Sequence, residues 1–187
     1  SYPWYFFRLA TMNVRPLSVD VIDHFERGAL EELCRATRAI VDEGSESSFG
    51  GAPTEERLAS FWRGVALAPH RILIVGRYDG VISGAFQLIR HSAMSESGPY
   101  VAELANFFVA PWARGQGLAQ ALMQKGEDEA KARGIRVIDL SVRASRHRAI
   151  ELFESFDYER WGEKPHYALI NGHLEPGYFY SKRVNGD

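Results

Sequence analysis

The sequence predicts a single mixed α/β (α+β) domain, with an antiparallel sheet in its first half and a strand–helix–strand unit in the middle. Asp79–Gly80 separates two apolar runs, and this dipeptide is the strongest short signal for a two-residue hairpin turn. Between residues 101 and 142, an apolar run, a helical pattern and a second apolar run follow one another, as in neighbouring parallel strands joined by a right-handed crossover. A length of 187 residues suits one domain.

Residues 1–11 are aromatic-rich and lack the pattern of a signal peptide. We interpret them as an extension or an expression remnant that docks on the surface or on a neighbouring molecule, and we expect the domain to span residues 12–187. This segment and the last strands are the candidate contacts of a homodimer.

The first half of the domain contains two signals for helix starts. After a short strand that follows Met12, Ser18 is interpreted as the N-cap of helical sequence that reaches toward Asp42 and is interrupted near Gly28, which favours two helices. Thr54 is expected to cap the next helix. That helix carries a set of apolar residues on one side: Leu58, Phe61, Trp62 and Val65.

The second half of the domain repeats the alternation of strands and helices. Asn171–Gly172 predicts a final hairpin near the carboxyl terminus. Before it, the patterns predict in order a strand at 100–110, a helix from Gly117 to Arg133 that Gly134 ends, a buried strand at 135–142 and a helix at 146–156.

Composition and charge limit the partners of the protein. The net charge is -2 without long charged tracts, so nothing indicates binding to nucleic acid or to a membrane surface. The single cysteine, Cys34, cannot form an internal disulfide, which suits a reducing cytoplasm. The histidines show no metal-ligand spacing, and one cysteine cannot build a zinc site, so no metal is expected. The predicted partners are small molecules.

The corner formed by Arg114, Gly115, Gln116 and Gly117 precedes a helix directly. Two glycines that frame a polar residue leave backbone N–H groups free, and a helix start adds unpaired donors and the positive end of the helix dipole. The corner is therefore a candidate phosphate cradle.

Arg114, Gly117 and Ala119 match a short signature of Arg or Gln, two residues, Gly, one residue, and Gly or Ala. In this context the chain resembles the GCN5-related N-acetyltransferase (GNAT) family, because "LANFFVAPWA" resembles the family's fourth strand and "AIELFESFDYERWG" its closing motif. The resemblance implies a mostly antiparallel twisted sheet whose fourth and fifth strands splay apart around acetyl-CoA, the implied co-substrate.

The resemblance also implies residues for the coenzyme. The Phe107–Phe108–Val109 segment would hold the pantetheine arm through its backbone. The N–H groups of the cradle would wrap the pyrophosphate, which assigns Arg114, Gly115, Gln116, Gly117, Leu118 and Ala119. Arg114 could equally pair with a nearby carboxylate. Arg146 and Arg148 are candidates for the 3′-phosphate, because guanidinium is a good phosphate partner, and the alternative is a solvated basic face.

Acetyl transfer to an amine needs a group that removes a proton, since a lysine-like amine has a pKa near ~10.4. Glu103 lies six residues before Val109, where histone-acetylating relatives carry a glutamate base. The alternative is a strand-edge glutamate that pairs with a cation or binds the substrate amine.

The expected general acid is missing from its usual position. Many members carry a tyrosine in the closing helix to protonate the departing thiolate, and here Phe153 occupies that step. Tyr158 is the candidate donor; the alternatives are Tyr167, Tyr178, a water molecule or a thiolate that leaves unassisted. Arg146 also replaces the asparagine that often opens this helix.

We therefore predict an N-acetyltransferase that moves an acetyl group from acetyl-CoA to a primary amine of a small molecule, by direct attack in a ternary complex, because Cys34 is poorly placed as a covalent relay. The alternatives are a non-catalytic acyl-CoA-binding module and an enzyme that acts on a protein N-terminus or lysine. The sequence does not identify the amine.

Overall fold

A computed structural model describes residues 15–44, 47–51 and 53–186, so the amino-terminal extension predicted for residues 1–11 lies outside the described residues. The first helices and strands are β1 Leu17–Ile22, α1 Ala29–Glu43, α2 Glu55–Leu67, β2 Arg71–Tyr78, β3 Val81–Arg90 and β4 Val101–Val109. They are followed by α3 Leu118–Ala132, β5 Val137–Arg143, α4 His147–Ser155, β6 Glu159–Ile170 and β7 His173–Arg183.

The strands form one seven-stranded sheet in the order β1-β2-β3-β4-β5-β7-β6. Only the β4–β5 pair is parallel among the strand pairs of the described residues, and α3 connects its two strands. The predicted mixed α/β domain with a mostly antiparallel sheet and a central strand–helix–strand unit is thus confirmed.

The prediction for Ser18 is wrong, because Ser18 lies inside β1 and caps no helix. Leu17, Val19 and Val21 are partly buried against the core and alternate with exposed Ser18 and Asp20. An alternation of period two suits a strand, and β1 pairs antiparallel with β2. One helix, α1, follows it instead of the two that were expected.

The turn and cap predictions are confirmed where the chemistry is local. Asp79 and Gly80 have φ angles of 54° and 81°, which is the left-handed pair that a type I′ hairpin requires. Asn171 and Gly172 repeat this geometry with φ angles of 49° and 80° between β6 and β7. Thr54 caps α2, since its side chain accepts a hydrogen bond of 3.2 Å from the backbone N–H of Arg57.

The parallel strands β4 and β5 are paired only at their first residues. The register is Val101 with Val137, Ala102 with Ile138 and Glu103 with Asp139, and no pairing follows within the described strands. On its other side, β4 carries a bulge at Asn106, whose φ is 60°. The predicted splay of these two strands is therefore present and opens toward the carboxyl end of β4.

Two hydrophobic cores lie on opposite faces of the sheet. The first core lies beneath α3 and α4 and includes Phe107. The second core lies beneath α1 and α2 and includes Phe108. At its centre Trp62 is fully buried, and its indole N–H donates a 3.0 Å hydrogen bond to Thr37 Oγ1. Consecutive residues of β4 thus point into different cores beside the split.

Candidate active site

A cavity of about 540 Å³ lies at the split between β4 and β5. Its walls come from both faces of the sheet, because Ile40 of α1 lies on one face and Ala149 of α4 on the other. The lining residues are Ile40, Phe107, Phe108, Val109, Ala113, Arg114, Gly115, Gly117, Ala119, Gln120, Arg146, Arg148, Ala149, Glu151, Leu152 and Ser155. The cavity therefore borders both cores beside the carboxyl end of β4, where β4 is no longer paired with β5.

One end of the cavity is formed by the glycine-rich corner before α3. Gly115 and Gly117 have φ angles of 72° and 86°, and a Cβ atom added at Gly115 would meet no atom within 4 Å. Gly117 occupies the N-cap position without a side-chain cap, and the first helical hydrogen bond runs from Ala121 N–H to Gly117 O. The amides that precede Ala121 therefore point out of the helix start, as in a site for an anion.

Two residues assigned to this corner do not line the cavity. Leu118 is buried, and its side chain packs against the backbone of Gly76 and Gly84, which have no side chains of their own. Gln116 is exposed outside the cavity walls. Only the backbone amides of these two residues remain candidates for contact with a ligand.

Arg114 forms a bidentate ion pair with Glu43 at the end of α1, with both N···O distances at 2.7 Å. These hydrogen bonds are the main reason that the pKa of Glu43 lies below its ordinary value, and Arg148 adds to the effect by its charge. Arg114 was expected either to contact the pyrophosphate or to pair with a carboxylate, and the structure shows the pair with a carboxylate. The pair ties the glycine-rich corner to the end of α1.

The two arginines assigned to the 3′-phosphate lie in different environments. Arg148 is exposed on the cavity wall. Arg146 is only 6% exposed, and its Nη2 donates a 3.2 Å hydrogen bond to the carbonyl oxygen of Phe107. Arg143, which was not assigned to the coenzyme, contacts Ser145, Glu175 and the carbonyl oxygen of Gly44. Both assigned arginines line the cavity, and their contact with the 3′-phosphate stays a prediction.

Glu103 is the last residue of β4 that pairs with β5, and its side chain is exposed. Its partner in register is Asp139, whose carboxylate accepts a 2.7 Å hydrogen bond from Ser181. Glu103 lies four strand positions before Phe107, roughly 13 Å along β4. It does not line the cavity and lies at the closed end of the split.

Tyr158 lies apart from the cavity, which the sequence did not reveal. It is 3% exposed in the core, and its hydroxyl has no hydrogen-bond partner among the described residues. Burial, with a smaller contribution from the charge of Glu127, raises its pKa strongly, so the hydroxyl is a poor proton donor. The hydroxyl of Tyr167 is hydrogen-bonded to the hydroxyl of Ser141, and the ring of Tyr178 lies beneath the guanidinium of Arg160. Neither lines the cavity.

Several cavity residues were missed at the sequence level. Those on α4 have a local signal, because Leu152 lies four residues after the assigned Arg148 and Ser155 three residues after Leu152, so that the three share one helix face. Ile40 gives no such signal, since α1 is distant in the chain and reaches the cavity only through packing. The remaining members of this set are Ala113, Gln120, Ala149 and Glu151.

The fold and the cavity define a class of mixed α/β protein in which an uncapped helix start lies beside a split between two parallel strands. A family model for the acetyltransferase (GNAT) family matches residues 37–158, well over half of the chain. An uncharacterized N-acetyltransferase from the hisH-hisA intergenic region of Azospirillum brasilense is 41% identical over 132 residues, covering 71% of this chain and 79% of that protein. The chain belongs to the GNAT family and is an acyl-CoA-dependent N-acetyltransferase.

Two solved structures show how similar folds are occupied. A putative acetyltransferase from Salmonella typhimurium, solved with acetyl-CoA, gives a TM-score of 0.73 at 15% identity over 91% of this chain and 95% of its own. Spermidine N-acetyltransferase from Vibrio cholerae was solved with CoA and spermine. It gives a TM-score of 0.73 at 18% identity, over 90% of this chain and 95% of its own. At these identities, the likeness concerns the fold.

Family membership decides between two alternatives left open by the sequence, because it favours an enzyme over a non-catalytic binding module.

Within the described residues, no group of three or more His, Cys, Asp or Glu side chains could hold a metal ion. The helices of the described residues are also too short or too polar to span a bilayer.

Proposed function

We propose that the protein acetylates a primary amine of a small molecule, taking the acetyl group from acetyl-CoA by direct attack in a ternary complex. The observation that carries this proposal is the cavity beside the unpaired end of β4, whose walls belong to both faces of the sheet. A coenzyme that enters from the α3–α4 side can present its thioester to an amine on the opposite face.

The cavity fits the chemistry of the coenzyme. Its titratable lining residues are three arginines and one glutamate among the described residues, so the walls favour an anion. The amides of residues 114–119 are assigned to the pyrophosphate, and exposed Arg148 is assigned to the 3′-phosphate. The backbone of Phe107 and Val109 is assigned to the pantetheine arm, which the family resemblance also implies.

The acceptor amine is assigned to the sheet face that α1 and α2 leave uncovered. These helices pack over β2, β3 and β4, whereas β5, β7 and β6 extend beyond them. Register places Glu103, Asp139, Ser181 and Glu159 side by side across four strands on this face. Carboxylates in such a row attract a cationic amine before it loses its proton.

Aromatic side chains border the acidic row on the same face. Trp161 is 68% exposed, and its ring lies 5.4 Å from that of Phe179. Tyr167 makes an edge contact with Phe179 from the other side. Aromatic rings beside carboxylates suit an amine that carries apolar carbon. The Vibrio cholerae relative binds spermine, so polyamines belong in the acceptor screen.

Glu103 is assigned as the group that removes the amine proton through water, because it lies roughly 13 Å along β4 from Phe107. It lies on the acceptor face beside the closed end of the split and is open to solvent. A covalent relay through Cys34 is disfavoured, because the thiol is buried in the second core and its pKa is raised by burial. The amine then attacks the thioester carbon directly.

A protein amine is the second candidate acceptor. The acidic row is open to solvent on β6, which forms the edge of the sheet, so the described residues do not enclose it. An amine screen should therefore include polyamines, amino sugars and lysine-containing peptides. Transfer to peptides alone would favour the second candidate over the first.

The test of the proposed base is Glu103→Gln, with Glu56→Gln on the exposed side of α2 as the matched control. General base catalysis contributes about 10²–10⁴-fold, so kcat should fall by that factor while the Kd of acetyl-CoA stays within about twofold. Thiol release with the best amine measures kcat, and calorimetry measures the Kd. Wild-type turnover in Glu103→Gln would remove this residue from the mechanism.

A further inference from the structure

Arg146 places a guanidinium group at the split itself. It occupies the N-cap position of α4, three residues after the end of β5, and lines the cavity. Its hydrogen bond to the carbonyl oxygen of Phe107 reaches back to β4 beyond the last β4–β5 pair. The positive charge is therefore held beside the backbone assigned above to the pantetheine arm, away from the mouth where the phosphates are assigned.

The cavity walls contain no evident proton donor for the leaving group. Within the described residues, no tyrosine, lysine, histidine or cysteine lines the cavity. Phe153 is buried with its ring 5.9 Å from that of Phe107, so this step of α4 is apolar. A thiolate that leaves here must be stabilised without receiving a proton from these walls.

We propose that Arg146 is a catalytic residue that stabilises the departing CoA thiolate by its charge. The inference rests on the proposed coenzyme site. The amine nitrogen attacks the thioester carbon, the C–S bond breaks, and its electron pair stays on the sulfur beside Arg146. The amine proton goes to Glu103 or to water, and the thiolate later takes a proton from solvent. Arg146 stays protonated throughout, as guanidinium does in proteins.

The environment of Arg146 increases the effect of its charge. The side chain is almost fully buried, and interactions between charges are stronger where water is excluded. The bond to Phe107 fixes the guanidinium in place before the reaction starts, so little reorganisation is needed when the sulfur becomes anionic. A lysine could supply the charge, whereas glutamine could supply only the hydrogen bond to Phe107.

The direct test is the pKa of the CoA thiol in the binary complex, followed by the ultraviolet absorbance of the thiolate. A free thiol titrates near ~8.5, and we expect the bound thiol to titrate about one unit lower, a roughly tenfold change in its ionisation constant. The shift should be lost in Arg146→Gln, largely kept in Arg146→Lys, and unchanged in Arg63→Gln, which alters an exposed arginine of α2. A bound thiol that titrates like free CoA, or alike in wild type and Arg146→Gln, would overturn the proposal.

Kinetics give an independent readout with the same variants. Arg146→Gln should lower kcat by about 10²-fold, with the KM for acetyl-CoA changed less than tenfold, and Arg146→Lys should recover part of the loss. A raised KM with unchanged kcat would make Arg146 a binding residue and contradict the inference. If Arg146→Gln does not fold, Arg146→Lys carries both measurements, and a folded Arg146→Lys protein whose bound thiol titrates like free CoA would overturn the proposal.

The outcomes separate this inference from the proposed function. The thiol titration needs no acceptor amine, so it stands even where every amine in the screen is inactive. Wild-type protein that does not bind CoA would overturn both the coenzyme site and the inference. Normal CoA binding without a shifted thiol pKa would overturn the inference alone.

Discussion

Replacing Gly115 by alanine isolates the role of the glycine-rich corner in holding the coenzyme. Gly115 has a φ of 72° and faces open space in the cavity, so an added methyl group meets no protein atom but projects where a ligand would lie. Gly134, after the end of α3, supplies a matched control. Its φ is 76°, it also has open space around it, and it does not line the cavity.

The backbone cost should be the same at both positions. An L residue in the left-handed region costs roughly 1–2 kcal/mol, and for a protein of this size each kcal/mol lowers Tm by about 2–4 °C. Both variants should therefore melt roughly 2–8 °C below wild type without ligand. A difference between them in ligand response then reports on the cavity alone.

The ligand response follows from the affinity. Acetyl-CoA at about 100 times its Kd stabilises the wild type by ~2.7 kcal/mol, which raises Tm by roughly 5–11 °C. A methyl group that displaces one charge-assisted hydrogen bond to a phosphate costs about 1.5–3 kcal/mol, or at least tenfold in affinity. For Gly115→Ala, the same concentration of acetyl-CoA is then about 10 times the new Kd or less. The ligand stabilises this variant by ~1.4 kcal/mol or less, so its Tm rises by roughly 3–6 °C or less.

The assay is thermal unfolding with and without acetyl-CoA, with ATP and NAD as nucleotide controls, followed by calorimetry for each Kd. We expect Gly134→Ala to keep the full wild-type rise and Gly115→Ala to lose at least half of it. Equal rises in the two variants would refute the reasoning, because the corner would then be a turn without a role in coenzyme binding.

Two further predictions follow from Glu43 and Tyr158. Because Arg114 lowers the pKa of Glu43, their ion pair stabilises the protein above the ordinary carboxyl pKa of 4.5 and is lost as the pH falls through the lower native value. Glu43→Gln should therefore lower the free energy of unfolding in urea by about 0.5–1 kcal/mol at pH 7, and this difference from wild type should shrink in acid. A difference that does not depend on pH would contradict the ion-pair explanation. Tyr158→Phe removes a buried hydroxyl without a partner, so it should raise the free energy of unfolding by about 1 kcal/mol and leave kcat unchanged; a large loss of kcat would restore Tyr158 as the acid.

The parts of the fold that were predicted correctly depend on short-range chemistry. A two-residue turn with left-handed φ angles needs residues such as Asp79–Gly80 or Asn171–Gly172, whatever surrounds it. The same holds for the cap at Thr54, where one side chain reaches an amide three residues ahead. These turns and this cap depend on a few neighbouring residues and can therefore be predicted from the sequence.

The wrong or untested assignments concern residues whose role is decided by distant partners. Ser18 has the chemistry of a helix cap, but β2 pairs with the segment around it and fixes it as a strand. Tyr158 follows the closing helix closely, yet the core under α3 and α4 encloses its hydroxyl. Arg146 and Arg148 are two residues apart at the start of α4 and so point to different sides of the helix, but only the packing of α4 decides which of them is buried.

The sequence by itself determined the order of strands and helices from α2 onward, the glycine-rich corner and the family, because periodicity, turn chemistry and a short signature are local properties. The tertiary structure decided where β4 and β5 part, that the cavity has walls from both faces of the sheet, and which charges surround it. Those features depend on packing between residues far apart in the chain, such as Glu43 with Arg114 and Arg146 with Phe107. No local pattern carries that information.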